Sequence, residues 1–205
     1  MAPVYKLKYF DLMGVAEPIR YLFAYGGVKY DNVLINDNVN WIEEKRFPFS
    51  QLPVLEVDKK VLYNSVAISR YVGKLVGLLP ADDLEAAELD SIAITLYEYW
   101  QKVYQWYNEQ KFEMKSVLEK ELVEKVCPKY LGAFQNIVQK KGSYFGGSKL
   151  SWVDLYFVAI VESIQGMWGS KILDKDYPQL HLIYKHVHEI PVINAYVSSR
   201  KNYKY

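Results

Sequence analysis

His181, His186 and His188 stand close together near the end of the chain, and a trio of imidazoles is the first place to look for a metal site. No cysteine partners them and the stretch reads as a surface helix, so metal ligation is not supported. Asp90 and Glu98 belong to a long helical pattern, where acids form a solvated face more readily than a catalytic carboxylate pair. The sequence holds no Gly-x-Ser-x-Gly elbow and no glycine-rich phosphate loop. Cys127 is the lone cysteine, next to Pro128, so disulfides and Cys-x-x-Cys redox chemistry are excluded and a packed thiol is expected. No side chain is a self-sufficient nucleophile. An enzyme built on this chain takes its reactive atom from a bound cosubstrate.

The stretch QLPVLEV, Gln51 to Val57, is the other chemical signal. Proline lacks the N–H that a β-ladder needs, and here it stands at the mouth of a strand. It either opens the strand structurally or forms a cis peptide that turns the main chain of Leu52 toward a ligand.

These residues need elements to position them. In VYKLKYF, Tyr5, Leu7 and Tyr9 alternate with Val4, Lys6 and Lys8, the period of a strand. EPIRYLFAYGG reads as a helix with Pro18 in its first turn and Gly26 or Gly27 at its end. VKYDNVLI is a second strand and NWIEEKRF a short irregular helix. VLEV and VLY make a hairpin through Asp58, Lys59 and Lys60, and a helix begins at Ser65 and stops at Gly77. Strand, helix, strand, helix, strand, strand, helix predicts an open mixed sheet covered by helices. Beyond LLPADD the strands disappear. LEAAELDSIAITLYEYWQKVYQWYNEQ predicts one long helix with Ile92, Leu96, Tyr99, Val103 and Trp106 on its apolar stripe. In LSWVDLYF, Ser151 and Asp154 have capping-box spacing, with Leu150 and Leu155 as the hydrophobic staple.

With 205 residues, 51% hydrophobic and 24% charged, the chain supports a sizeable core. Its 25 basic and 24 acidic side chains leave a net charge of +1, so no overall field recruits nucleic acid or an anionic membrane. SSRKNYKY reads as a local basic tail. No apolar run approaches the roughly 20 residues of a bilayer span, and MAPVYKLKYF lacks the apolar centre of a signal peptide, so a cytoplasmic location is expected.

YKLKYFDLMGVAEPIRYLFAYGGVKY, NWIEEKRFPFSQLPVLEVDKKVLYNSVAISRYVGKLVGL and LSWVDLYFVAIVE resemble the sigma class of cytosolic glutathione transferases, its insect-type branch in particular, over almost the whole chain. The resemblance implies an α/β thioredoxin-like N-terminal domain with a mixed four-stranded sheet over residues 1–79, and an all-α C-terminal helical domain over 84–205. It implies glutathione as cosubstrate, no metal, and a homodimer with Phe49 and the long-helix face in contact.

By the same resemblance Pro53 is cis and Leu52 pairs with the cysteinyl main chain of glutathione, while Ser65, at a helix start, receives the γ-glutamyl carboxylate. Asn64 stands where the family carries Gln or Glu, and Gln51 replaces a common Lys. Trp41 and Lys45 match positions that hold the glycyl end, and Glu98 one that reaches across the dimer. Tyr9 is the implied catalytic residue: its phenol stays protonated at neutral pH and donates to the glutathione sulfur. A thiol of pKa about 8.5 is only about 3% ionised at pH 7, and a fall of about two units, worth about 2.7 kcal/mol, makes the thiolate the majority form.

The electrophile pocket implied by the resemblance is lined by Phe10, Leu12, Met13, Val15, Trp100, Tyr104, Tyr156 and Ile160. Vertebrate prostaglandin D synthases of this class carry Arg at the position of Val15, and their metal-binding acids here read Ile94, Tyr97 and Glu98. Conjugation of apolar electrophiles, such as unsaturated aldehydes from oxidised lipid, is therefore the expected activity, with peroxide reduction beside it. A structural or ligand-carrying role of the S-crystallin kind and a prostaglandin isomerase are the alternatives.

Overall fold

The structure, a computed structural model, describes residues 3–35, 49, 51–169, 172–173, 176–203 and 205. The expected helix NWIEEKRF, with Trp41 and Lys45, lies outside the described residues.

Strand β1 (Tyr5–Phe10) keeps the alternation of its sequence: Tyr5, Leu7 and Tyr9 are buried and Lys6 is exposed. Helix α1 (Glu17–Tyr25) carries the chain over to β2 (Asp31–Ile35), which pairs in parallel with β1, as a crossover connection requires. Strands β3 (Val54–Val57) and β4 (Lys60–Tyr63) follow, giving a four-stranded mixed sheet in the order β2-β1-β3-β4. The hairpin turn is tighter than its sequence suggests. Asp58 takes φ 53°, so Asp58 and Lys59 suffice for the reversal and Lys60 belongs to β4, paired with Val57. Helix α2 (Ser65–Leu75) then packs against α1.

The second half is helical: α3 (Asp83–Asn108), α4 (Phe112–Glu121), a π-helical turn over Leu122–Val126, α5 (Cys127–Lys141), α6 (Trp152–Trp168), α7 (Pro178–Glu189) and α8 (Pro191–Ser199). Ile92, Leu96, Tyr99, Val103 and Trp106 are all buried along α3 as their spacing demands. Helix α6 is buried on every side, from Trp152 to Ile164, and packs against both α1 and α3, so it is the axle on which the two halves meet. Its start is fixed by the capping box: the Ser151 N–H and hydroxyl donate to Asp154 Oδ2, each at 2.7 Å, and the Phe145 N–H donates to Oδ1 at 2.9 Å. A Cβ on Gly73 of α2 would lie 2.5 Å from the Trp152 Cβ, so the two halves touch where only glycine fits.

Two sequence readings need correction here. The histidine stretch is not simply a surface helix, because His188 Nε2 lies 3.1 Å from Glu162 Oε1 on α6. Nor is SSRKNYKY simply a local basic tail, although Ser198, Ser199, Lys201 and Asn202 are exposed. Arg200 pairs with Glu17 at 2.6 Å and with Glu162 at 3.0 Å, and Glu17 also pairs with the fully buried Arg20 at 2.8 Å. The Tyr21 hydroxyl donates to Glu162 at 2.7 Å and the Tyr196 hydroxyl to Glu17 at 2.9 Å. Charges of both signs thus hold α1, α6, α7, α8 and the segment after α8 together, satisfying groups whose isolated burial would be costly.

Candidate active site

Tyr9 ends the inward-facing row of β1, and the loop after it folds back over its ring. Gly14 makes this approach geometrically feasible. It has φ 42°, and a Cβ there would lie 2.6 Å from the Tyr9 hydroxyl oxygen. The Val15 N–H then donates to that oxygen at 3.4 Å. With its oxygen accepting from the main chain, the phenol has its proton left to donate elsewhere. Burial is the chief influence on this group and raises its pKa. Tyr104 and Tyr97 add to the rise, while the Val15 amide and Arg20 oppose it. Tyr9 is therefore a neutral donor at physiological pH. Arg20 steadies the loop from below, its Nη1 donating to the Leu12 carbonyl at 3.0 Å.

Beside β1, the β1–β3 pairing runs from Tyr5↔Val57 to Lys8↔Val54, so Leu52 lies past the end of the ladder. The Leu52–Pro53 bond is cis. Gln51 is exposed, Leu52 half-buried and Pro53 buried. Asn64, not Ser65, is the cap of α2. It adopts φ 71° and ψ 122°, outside the left-handed helical well, and its Oδ1 accepts from Val66 N at 3.0 Å and Ala67 N at 3.3 Å. Ser65 is the first helical residue, 2% exposed, at the positive end of the α2 dipole. The Tyr156 hydroxyl lies against it, fully buried and without a well-formed hydrogen bond among the described residues.

Helix α3 supplies a wall of stacked rings. Trp100 lies nearly parallel to Tyr104, at 14° with centroids 4.6 Å apart, and to Tyr97, at 12° and 6.2 Å. Trp100 is fixed by its indole N–H, which donates to Ser163 Oγ on α6 at 3.1 Å. Tyr104 is 44% exposed and offers its face to solvent. Phe10, the last residue of β1, is half-buried, as are Leu12 and Met13 on the loop, whereas Val15, Tyr156 and Ile160 lie within the core. Glu98 is exposed on α3, beside Thr95, Lys129 and Tyr130 of a shallow depression. Phe49 is 72% exposed and meets Tyr63 edge-on at 5.2 Å.

Sequence reading passed over Gly14, Ser163 and Arg20, and met Tyr97 only as the replacement of a metal-binding acid. Gly14 was open to detection, since a glycine between a strand and a proline-started helix marks a close backbone approach. The partnership of Trp100 and Ser163 spans two helices and leaves no local signal. Among the described residues no three His, Cys, Asp or Glu side chains gather as a metal site requires, and no helix is long and apolar enough to cross a membrane.

A family model described as Glutathione S-transferase, N-terminal domain, matches residues 5–74, and one described as Glutathione S-transferase, C-terminal domain, matches residues 97–200. Glutathione S-transferase S1 of Drosophila melanogaster is 32% identical over 96% of this chain and 78% of its own length. Hematopoietic prostaglandin D synthase of Gallus gallus is 31% identical over 97% of both chains. The solved structure of prostaglandin synthase D of Nilaparvata lugens superposes with a TM-score of 0.89 at 33% identity, covering 97% of this chain and 99% of that one.

Proposed function

The chain belongs to the glutathione S-transferase family, and from that premise we propose that it conjugates glutathione to apolar electrophiles through Tyr9. The observation that carries the reading is the Tyr9 phenol, buried and neutral, whose oxygen accepts from Val15 N and whose proton is free for a third partner.

The chemistry of the surrounding residues fits the tripeptide. Leu52, past the end of its ladder, offers main-chain groups to the cysteinyl segment in the manner of an added strand. Ser65, at the positive end of the α2 dipole, suits the γ-glutamyl carboxylate. Asn64 spends its oxygen on capping, so its amide NH2 and main chain are what it offers a ligand. Gln51 is placed to hydrogen-bond, and Trp41 and Lys45 serve the glycyl end. Glutathione supplies the reactive sulfur. Tyr9 donates its phenolic proton as a hydrogen bond to that sulfur and favours the thiolate, which is worth about 1.5–3 kcal/mol for a bond to a charged group. In aromatic substitution the new carbon–sulfur bond replaces a carbon–halogen bond and halide leaves. In addition to an unsaturated aldehyde, the sulfur takes the β-carbon and a proton from solvent completes the α-carbon.

Phe10 at the end of β1, the loop residues Leu12 and Met13 and the ring of Tyr104 bound the acceptor space, with Trp100, Val15, Tyr156 and Ile160 behind them. Unsaturated aldehydes of oxidised lipid suit this apolar, aromatic surface. Two subunits pair through Phe49 and the α3 face, which places Glu98 near the partner's tripeptide. The sigma class and a cytosolic setting go with this reading.

Steady-state conjugation of a chlorodinitrobenzene tests it. Wild type turns over, and Ser65→Ala raises the KM for glutathione several-fold while the fold is kept. A wild-type chain without glutathione-dependent turnover returns the protein to a carrier or structural role.

A further inference from the structure

Helix α2 of the first half and helix α6 of the second meet along a seam with small residues on one side and large rings on the other. Ser65, Ser69 and Gly73 stand one helical turn apart on α2 and so share a face. Trp152 and Tyr156 share a face of α6 in the same way, their rings edge-on with centroids 6.0 Å apart. Gly73 admits Trp152 at one end of the seam, and at the other the Tyr156 hydroxyl lies against Ser65. The seam therefore starts at the first residue of α2, where the candidate site ends.

Solvent does not reach this seam, and its polar atoms are short of partners. Ser69, Trp152 and Tyr156 are each 0% exposed and Ser65 is 2% exposed. Among the described residues, Ser69 Oγ, Trp152 Nε1 and the Tyr156 hydroxyl have no hydrogen-bond partner. A buried hydroxyl in that state has given up its hydration and received nothing in exchange, a cost that asks for a compensating role. Burial, the chief influence on the Tyr156 phenol, raises its pKa, with Ser65 opposing the rise and Tyr97 and Tyr9 adding to it. The phenol is thus a protonated donor at neutral pH.

Ser65 is where such a donor matters. Asn64 Oδ1 already holds the Val66 and Ala67 N–H groups, so Ser65 itself is what the start of α2 offers an anion, at the positive end of the helix dipole. A serine hydroxyl has one proton and two lone pairs. A carboxylate bound at Ser65 draws the proton toward itself and leaves the lone pairs for the phenol.

We propose that Tyr156 is a positioning residue for glutathione: its hydroxyl donates to Ser65 Oγ once Ser65 has turned its own proton to the γ-glutamyl carboxylate, so that ligand binding satisfies the buried phenol. The inference rests on the glutathione site proposed above. In the chain from phenol to serine to carboxylate each bond polarises the next. The chain also ties α6 to a ligand held by the first half of the molecule, through a hydroxyl with no exposed surface of its own.

The test is equilibrium binding of glutathione, by titration calorimetry with no electrophile present, to wild type, Tyr156→Phe, Ser65→Ala and the double variant. Contacts of Tyr156 with an electrophile then do not enter. Tyr156→Phe keeps the ring and is expected to weaken binding by about 3- to 10-fold, the scale of one hydrogen bond between neutral groups. On the Ser65→Ala background the same change is expected to alter affinity by less than about two-fold, because the oxygen that takes the phenolic proton is gone. A merely structural role would weaken binding equally on both backgrounds, and that result overturns the proposal. A Tyr156→Phe affinity within about two-fold of wild type overturns it as well. If Tyr156→Phe does not fold, Tyr156→Met is read by the same criteria. A wild type that binds glutathione but turns over no electrophile sinks the conjugation reading alone, and the four affinities still decide the role of Tyr156. A wild type that binds no glutathione overturns both.

Discussion

The Val15 N–H and the Tyr9 phenol oxygen face each other across 3.4 Å, joined by a loop that only Gly14 allows to fold so tightly. The contact fixes which atom of Tyr9 is spent and which is free. A hydroxyl that already accepts from the main chain keeps its proton for another partner.

Tyr9→Phe removes that proton and leaves the ring packing in place. A hydrogen bond to a charged partner is worth about 1.5–3 kcal/mol, so kcat/KM falls by about 10- to 150-fold and the thiol pKa of bound glutathione rises by about one to two units. Ultraviolet titration of the bound thiolate reads the second quantity directly. A rate loss without any change in that titration assigns Tyr9 to packing instead.

Gly14→Ala tests the loop rather than the phenol. An alanine at φ 42° is strained by about 1–2 kcal/mol, and its methyl would stand 2.6 Å from the Tyr9 oxygen. The phenol has to move, so activity drops at least about 10-fold, the scale of a catalytic group displaced by a fraction of its bond length. Chemical denaturation alongside the kinetics separates the small stability cost from the larger catalytic one. Equal activity in both proteins removes Gly14 from the site.

Local patterns were legible in the sequence, and distant ones were not. Tyr5, Leu7 and Tyr9 face inward because a strand alternates, and Ser151 with Asp154 announces a helix start because the partners are three residues apart. Ser65 reads as the start of α2 and is its first residue; what the sequence does not reveal is the positive φ of Asn64, which caps it. The segment after α8 reads as a basic tail for a different reason. Its partners Asp11 and Asn32 lie 190 and 171 residues away, and charge that looks solvated in one dimension is paired in three. His188 misleads in the same way, its partner Glu162 being on another helix.

Glu162 gathers the Tyr21 hydroxyl, Arg200 and the His188 imidazole around one carboxylate on the central helix. Burial by itself raises its pKa, but the His188 hydrogen bond, the Arg200 charge and the Tyr21 hydroxyl outweigh that and hold it below the ordinary range. Glu162→Gln leaves Arg200 short of a counter-charge in a mostly buried setting and costs about 3–5 kcal/mol. Because the folded carboxyl is the more acidic, its stabilisation is complete above the unfolded pKa of about 4.3 and is lost as pH falls through the lower folded value. Urea midpoints of the two proteins therefore differ by a constant amount above about pH 5 and converge in stronger acid. A gap that widens in acid contradicts this assignment.

Asp154 has the opposite sign. Burial, the largest influence, pushes its carboxyl up from 3.8 to about 6, although the Ser151 hydroxyl and the Phe145 and Ser151 amides pull it down. Among the described residues no cation offsets the burial, so the folded chain holds a proton there that the unfolded chain has already lost. Between about pH 4 and pH 6 the native state binds more protons than the unfolded one, and stability contributed by this group grows as pH falls. A rise of that size is worth about 3 kcal/mol across the window. In Asp154→Asn that contribution is absent, and the amide NH2 confronts donors that the carboxylate accepted. The variant is less stable at every pH, and its deficit relative to wild type widens by about 3 kcal/mol from pH 7 to pH 4 in matched urea titrations. A deficit that narrows over this range means that the three hydrogen bonds outweigh burial and that the capping-box carboxylate is ionised throughout.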